Sequence, residues 1–341
     1  MKLTTLKLTQ FRNFKGRIFE FADTAVVVGQ NGVGKTNLIE SIRFLSLMKS
    51  FRARSDQEAI QFEQAFFRVE GTILDDTKHT VALYLGKDET NKITKQVKID
   101  GNAKRLTEAI GFIKTVLFTA DELNLVGGVP QKRRHFLDFL LSQLDRKYLF
   151  ALSQYKQVLR QRAELLNWIK LRQASADDLA TWDPPLLEHG QYILDKREQL
   201  AAFFNQILPQ ELRFEPKFAA LSAEALQASR PRDIQFGQTT IGPHRDDFEL
   251  ALHGKSLQKY GSRGEWRRAV MLLKVAEIEY IFHVSGKQPV LLADDLFSEL
   301  DLGNRQLVEF RNVGQSIYTT PEINLVPENI KKQAQIIELT V

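Results

Sequence analysis

The stretch GQNGVGKT, Gly29–Thr36, directly follows the apolar run Ala25–Val28. It opens a segment whose apolar residues Leu38, Ile39, Ile42, Leu45 and Leu47 recur at helical spacing. A short strand, a glycine-rich turn and a helix in that order place the chain in the α/β class. The turn follows the pattern G-x-x-x-x-G-K-[ST]. Glycines in such a turn let backbone N–H groups face inward onto phosphate oxygens. Lys35 is then expected to reach the β and γ phosphates of ATP, and the Thr36 hydroxyl to ligate Mg²⁺.

A second element, PVLLADDLFSELD, lies at residues 289–301. Its apolar residues form a buried, parallel-type strand that ends in two carboxylates. Asp294 is expected to hold Mg²⁺ through water, as the Walker-B acid does, and Asp295 to orient or deprotonate the attacking water. Just upstream, YGSRGEWRRAVMLLKVAE places Ser262 and Gly264 before a helix with Val270, Leu273 and Ile278 on its apolar face. Small residues there leave N–H groups free for an anion. The loop at Gly29 already accounts for one nucleotide's phosphates, so this second anion site is expected to serve a nucleotide held by another copy of the chain.

Around these elements, residues 2–8, 17–21, 66–73, 79–86 and 93–99 read as strands, the last two as a hairpin across GKDETNK. From Gln131 the pattern turns helical and continues towards Leu171. Pro184 and Pro185 are expected to break the chain before a second helix over 186–208. Strand signals return at 235–252, and a helix is expected over 264–282. The resulting expectation is an ATPase head built from both chain ends, residues 1–125 and 235–341, with an inserted helical arm at 126–234. The chain has 341 residues, 43% of them apolar, and no cysteine. That excludes disulfides and thiolate chemistry and suits a reducing cytoplasm. The start, MKLTTLKLTQ, lacks the apolar core of a signal peptide, and no apolar run is long enough for a membrane span. The six histidines show no metal-ligand spacing. His244 reads as structural at the junction of arm and head, and Trp266 fits either a dimer interface or the core.

The net charge of +5 is unevenly placed: residues 131–172 hold ten Lys and Arg against three Asp and Glu. Lys132, Arg133, Arg134, Arg146, Lys147, Lys156, Arg160, Arg162, Lys170 and Arg172 are therefore candidates for DNA phosphates, joined by Arg52 and Arg54. With no base-reading module visible, binding is expected to be sequence-nonspecific.

The stretches FRNF, KSFRARSDQEAI, LFTADELNLVGGVPQKRRHFLDFLLSQLD, TTIGPHRDDFEL, SRGEWRRAVMLLKVAE and LLADDLFSELD resemble, in order and over nearly the whole chain, the RecF family of bacterial recombinational-repair ATPases. The resemblance implies an ABC/SMC-like P-loop ATPase head with a short helical arm. It implies a homodimer formed around ATP, association with DNA at junctions of single and double strand, and weak, DNA-stimulated, slow hydrolysis that drives release. It also implies work with RecR and RecO to load RecA on gapped DNA. By the same resemblance Arg12 lies near the phosphates or base, and Gly29, Asn31, Gly32, Gly34, Lys35, Thr36 and Asn37 form the P-loop. Ser262 and Gly264 cap the partner's γ-phosphate, Asp294 and Asp295 form Walker B, and Asp301 belongs to the D-loop. Three departures stand out. FTADEL lacks the Mg²⁺-sensing glutamine of ABC heads, leaving Asp121 or Glu122 as substitutes. Glu265 replaces the usual signature glutamine. Thr319 or Thr320 stands where transporter ATPases carry a switch histidine.

Two other readings fit part of the pattern. The ATPase subunit of an ABC transporter shares the loop and signature, but the missing histidine and the basic arm count against it. An SMC-like structural DNA protein shares the head. Two helices of roughly 25–40 residues, however, give an arm of only about 40–60 Å, short for bridging distant DNA.

Overall fold

The computed structural model describes residues 1–87, 92–299 and 312–340. The chain divides into two compact units, one formed by Met1–Glu122 with Val270–Val341 and the other by Leu123–Ala269. Residues 235–269, expected in the head, fall in the second unit. The reason is pairing: strand Asp247–Leu252 lies antiparallel to Leu212–Lys217 along its whole length.

The first unit holds two sheets. Six antiparallel strands run in the order Phe14–Glu20, Lys2–Phe11, Phe66–Leu74, Lys78–Lys87, Ile93–Ile99, Asn102–Lys104. In the first strand Leu3, Leu6 and Leu8 are all fully buried although Leu3 and Leu6 are three residues apart. A register shift between Leu3 and Thr5 resolves this, because one extra residue returns the side chains to the core face. The second sheet is parallel throughout, in the order Gln335–Glu338, Thr24–Val28, Gln315–Thr320, Val290–Ala293, Thr115–Phe118. Strands Thr24–Val28 and Val290–Ala293 are short and apolar, as strands covered on both faces tend to be, while Gln315–Thr320 between them carries polar residues. Helix Lys35–Leu47 supplies Leu38, Ile39, Ile42, Phe44 and Leu45 to a core shared with both sheets, through Val69 and Ile73 of one and Val27, Leu292 and Ile317 of the other.

The second unit contains helices Pro130–Ser142, Arg146–Lys170, Asp183–Ile207 and Ala223–Phe236 beside a three-stranded antiparallel sheet. The long helix expected from Gln131 is two helices. Asp145 starts the second by accepting hydrogen bonds from the N–H groups of Lys147 and Tyr148. Pro184 and Pro185 do not break the chain. They occupy the first turn of Asp183–Ile207, where a missing N–H removes no intrahelical bond. The expected strand at 235–252 shrinks to 247–252, since Gly237 caps the preceding helix at φ 64° and Pro243–Arg245 form a 3₁₀ turn. Among the described residues no helix is long and apolar enough to cross a membrane.

Buried arginines tie the second unit together. Arg197, 2% exposed, bonds Asp138 at 2.8 Å, Asp246 at 2.6 Å and the Pro243 carbonyl at 2.7 Å. Arg162, fully buried, holds Asp233 at 2.7 Å and Thr239 at 2.8 Å. Arg133 grips Asp247 with two bonds and the Gly128 carbonyl with a third. Arg133 and Arg162, both expected at DNA, are therefore internal ties. His244 lies among these groups within the second unit. Its Nε2 bonds the Thr239 carbonyl and so carries the proton, leaving Nδ1 to accept from the Tyr155 hydroxyl. Burial pushes its pKa from 6.5 down to about 4.

Two outcomes are expected. Arg197→Met leaves two buried carboxylates without their partner and should cost about 3–5 kcal/mol in urea unfolding. The His244 ring gives a pH signature. Below pH 6.5 the unfolded chain takes up a proton that the folded chain refuses until about pH 4, so stability falls as the pH is lowered through that window. The full loss is on the order of 3 kcal/mol. His244→Gln should flatten the fall in urea midpoint between pH 6.5 and 4; an unchanged fall would assign the acid sensitivity elsewhere.

Candidate nucleotide site

The loop Gly29–Gly34 joins strand Thr24–Val28 to helix Lys35–Leu47. Gly32 and Gly34 have φ of 88° and 109°, which side chains rarely adopt. A Cβ on Gly34 would also lie 2.6 Å from the Asn13 amide, whereas one on Gly32 would meet nothing within 4 Å. The loop is thus pinned from behind and open above Gly32. Asn13 donates to the Val33 carbonyl and accepts from Asn37, fixing the turn from the first hairpin. Lys35 folds over the loop, with its amine on the Gly29 carbonyl at 2.7 Å, the Gln30 carbonyl at 3.2 Å and Asn31 Oδ1 at 3.4 Å. The helix start adds N–H groups that have no intrahelical acceptor.

Parallel pairing brings the other residues to this loop. Ala293 stands opposite Tyr318, Tyr318 opposite Val26 and Thr320 opposite Val28, so the carboxyl ends of three strands lie side by side. Thr36 Oγ1 donates to Asp294 Oδ2 at 2.7 Å, and Thr319 Oγ1 donates to Asp294 Oδ1 at 2.6 Å. Thr319 Oγ1 also accepts the Asp295 N–H at 3.0 Å. Of the two threonines offered by the sequence, Thr319 reaches the Walker-B carboxylate, while Thr320 bonds the Glu322 carbonyl. Asp295 turns away from the strand at φ 50°, an uncommon conformation for a side-chain residue. An open loop with a poised amine suits a polyphosphate. The oxygen donors Thr36 and Asp294 suit Mg²⁺.

Glu40, one turn beyond Thr36 and fully buried, collects Arg12 at 2.8 and 2.9 Å, Arg52 at 2.9 Å and the Ser50 hydroxyl at 2.6 Å. Burial pushes its pKa up, but the bonds from Arg12, Ser50 and Arg52 outweigh it and hold the carboxyl below its ordinary value. Arg52 also bonds Asn37. This places Arg52 with Arg12 beside the P-loop helix, and both Arg52 and Arg54 are exposed. Sequence reasoning passed over Glu40 and Asn13. The available signal for Glu40 was its standing as the lone acid of that helix, four residues after Thr36.

In the second unit, Ser262 and Glu265 form a capping box at the start of helix Arg263–Ser285. The Ser262 N–H and hydroxyl both donate to Glu265 Oε2, at 2.7 and 2.8 Å, and the Glu265 N–H returns to Ser262 Oγ at 3.3 Å. These bonds, the backbone one first, hold the Glu265 carboxyl below its ordinary pKa. Gly264 is exposed. Trp266 donates to the Leu257 carbonyl and packs on Gly127 inside this unit. Glu122 is paired with Lys274 at 2.5 Å, and Lys274 also holds Glu277. Asp301 lies outside the described residues.

The remaining basic candidates differ in setting. Lys132, Arg146 and Arg160 are exposed, Lys147 lies over the Tyr192 ring, Lys156 stands 3.8 Å from Asp138, and Arg134 bonds the Asp246 carbonyl.

Residues 2–319 match the RecF/RecN/SMC N-terminal domain family. The chain is 34% identical over 355 residues to the DNA replication and repair protein RecF of Moorella thermoacetica, covering 99% of this chain and 95% of that one. It is 35% identical over 318 residues to RecF of Lachnoclostridium phytofermentans, covering 88% and 87%. Two solved structures of the recombination mediator protein RecF in the RecFOR pathway match with a TM-score of 0.85 each. The one with ATP is 30% identical and covers 94% of this chain and 92% of its own; the one described as RecF-ATPrS is 29% identical and covers 96% and 94%. Matched by the family model over residues 2–319 and by RecF relatives at 34 and 35% identity over most of its length, the chain belongs to the RecF family.

Proposed function

We propose that this protein is an ATP-gated DNA clamp of recombinational repair, acting in the cytoplasm. The observation that carries the reading is the hydrogen-bonded set Thr36–Asp294–Thr319 at the open P-loop, which pairs a nucleotide cradle with a metal-holding carboxylate. In this reading the Lys35 amine exchanges its loop acceptors for β and γ phosphate oxygens, and Thr36 and Asp294 hold Mg²⁺. The metal, when bound, neutralises charge on the phosphates. Asp295 accepts the proton of the attacking water. Ser262 and the N–H groups at Gly264 face the γ-phosphate held by a second copy, so that the nucleotide joins two chains.

Exposed cations of the second unit hold DNA near junctions of single and double strand. Slow hydrolysis, stimulated by DNA, releases the clamp. Its relatives are named as replication and repair proteins and as recombination mediators of the RecFOR pathway, which supports work with RecR and RecO. In this reading the three promote loading of RecA onto gapped DNA.

Light scattering with and without ATP and a gapped duplex tests this directly. ATP is expected to convert monomer to dimer and DNA to strengthen the dimer; a protein that stays monomeric with saturating ATP at micromolar concentration is no clamp. Lys35→Ala should abolish nucleotide binding, whereas Ser262→Ala should bind ATP and remain monomeric. Asp295→Asn should bind and dimerise but hydrolyse about 10²-fold or more slowly in a phosphate-release assay. Normal turnover in that variant would reassign the base.

A further inference from the structure

The second unit contains a cavity of about 230 Å³ between helices Pro130–Ser142, Arg146–Lys170 and Asp183–Ile207 and the turn Pro243–Arg245. Arg134, His135, Asp138, Lys156 and Arg197 supply its charged and titratable lining, together with His244. The carboxylates are largely committed. Asp138 takes Arg197 at 2.8 Å and the Tyr148 hydroxyl at 2.8 Å, and Asp246, behind the wall, takes Arg197 at 2.6 Å and the Ala219 N–H at 3.0 Å. Lys156 stands farther from Asp138, at 3.8 Å, with 60% of its side chain exposed.

Arg134 makes one bond, to the Asp246 carbonyl, and among the described residues no ion pair engages it. Burial and the nearby charge of Arg197 press its pKa below the ordinary value. His244 is neutral at pH 7 and adds no charge. Three cations thus face two carboxylates, both already bonded to Arg197, which leaves positive charge and free N–H donors at the mouth.

We propose that this cavity is a phosphate-binding site, in which Arg134 and Lys156 grip one phosphate group over a floor set by Arg197. A guanidinium beside an ammonium in a half-enclosed space matches the geometry of a phosphate better than a flat basic surface does. The group can come from a DNA backbone, which rests on the clamp reading, or from a free phosphate compound, which does not. The site also divides the basic segment: Arg133 and Arg162 are internal ties, and only part of what remains converges on one point.

The experiment has two arms on the full-length chain. In the first, anisotropy of a labelled duplex is measured with ATP across a salt series for the unsubstituted protein, Lys156→Gln, Arg134→Gln and Lys104→Gln. Lys104, in strand Asn102–Lys104, is an exposed cation of the first unit that does not line the cavity. Lys156→Gln and Arg134→Gln should each reduce the slope of log K against log salt by about 1, while Lys104→Gln leaves it unchanged. In the second, inorganic phosphate is added to the Lys35→Ala background, which removes the P-loop's contribution, and the rise in Tm is compared. The rise should persist with Lys104→Gln and vanish with Lys156→Gln.

Loss in the first arm assigns a DNA phosphate, and loss in the second alone a free one. If neither arm separates Lys156→Gln from Lys104→Gln, the site is overturned. Because Lys156 is largely exposed, the test stands even if Arg134→Gln fails to fold. Failure of the unsubstituted protein to bind duplex sinks the clamp reading and leaves the second arm to decide the cavity.

Discussion

Each oxygen of the Asp294 carboxylate accepts one hydroxyl, Thr36 from the P-loop helix and Thr319 from the adjoining strand. These partners are 258 and 25 residues away in sequence. They meet because Val290–Ala293, Gln315–Thr320 and Thr24–Val28 run parallel with matched register. A slip of one residue would turn Asp294 to the opposite face and break both bonds, so the site tests the register of the sheet that builds it. The start of the loop depends on the same alignment, because the Gly29 N–H donates to the Thr320 carbonyl at 3.2 Å.

The elements legible in the sequence were those whose causes are local. Helix Lys35–Leu47 has the limits its apolar spacing predicts, and the hairpin of Lys78–Lys87 with Ile93–Ile99 follows from alternation on either side of a polar turn. The failures trace to position within an element. Pro184 and Pro185 signal a break anywhere but the first helical turn, and periodicity alone could not locate that turn. Helix Ala223–Phe236 carries an internal Pro231 and buries only Leu226 and Asp233, too little for an apolar stripe. Strand Gln335–Glu338 alternates too briefly to stand out.

Charge was the least legible property. The basic segment reads as one surface when counted along the chain, but Arg133 and Arg162 turn inward to acids 114 and 71 residues away. Arg52 likewise turns to Glu40, joining Arg12 beside the nucleotide loop. In each case the side chain's role was set by a partner that only the fold supplies.

Strand Thr24–Val28, which carries the P-loop, has two neighbours in its sheet: Gln315–Thr320 on one side and Gln335–Glu338 on the other. They begin only at residues 315 and 335. During synthesis this strand must wait, apolar and unpaired, while the whole second unit emerges and has time to fold. The closing of the sheet is therefore a late, long-range event with a large loop-closure cost. A ribosome-bound chain can hold a finished second unit while Asp294, which bonds Thr36, and Thr319, which bonds Asp294, are still unmade.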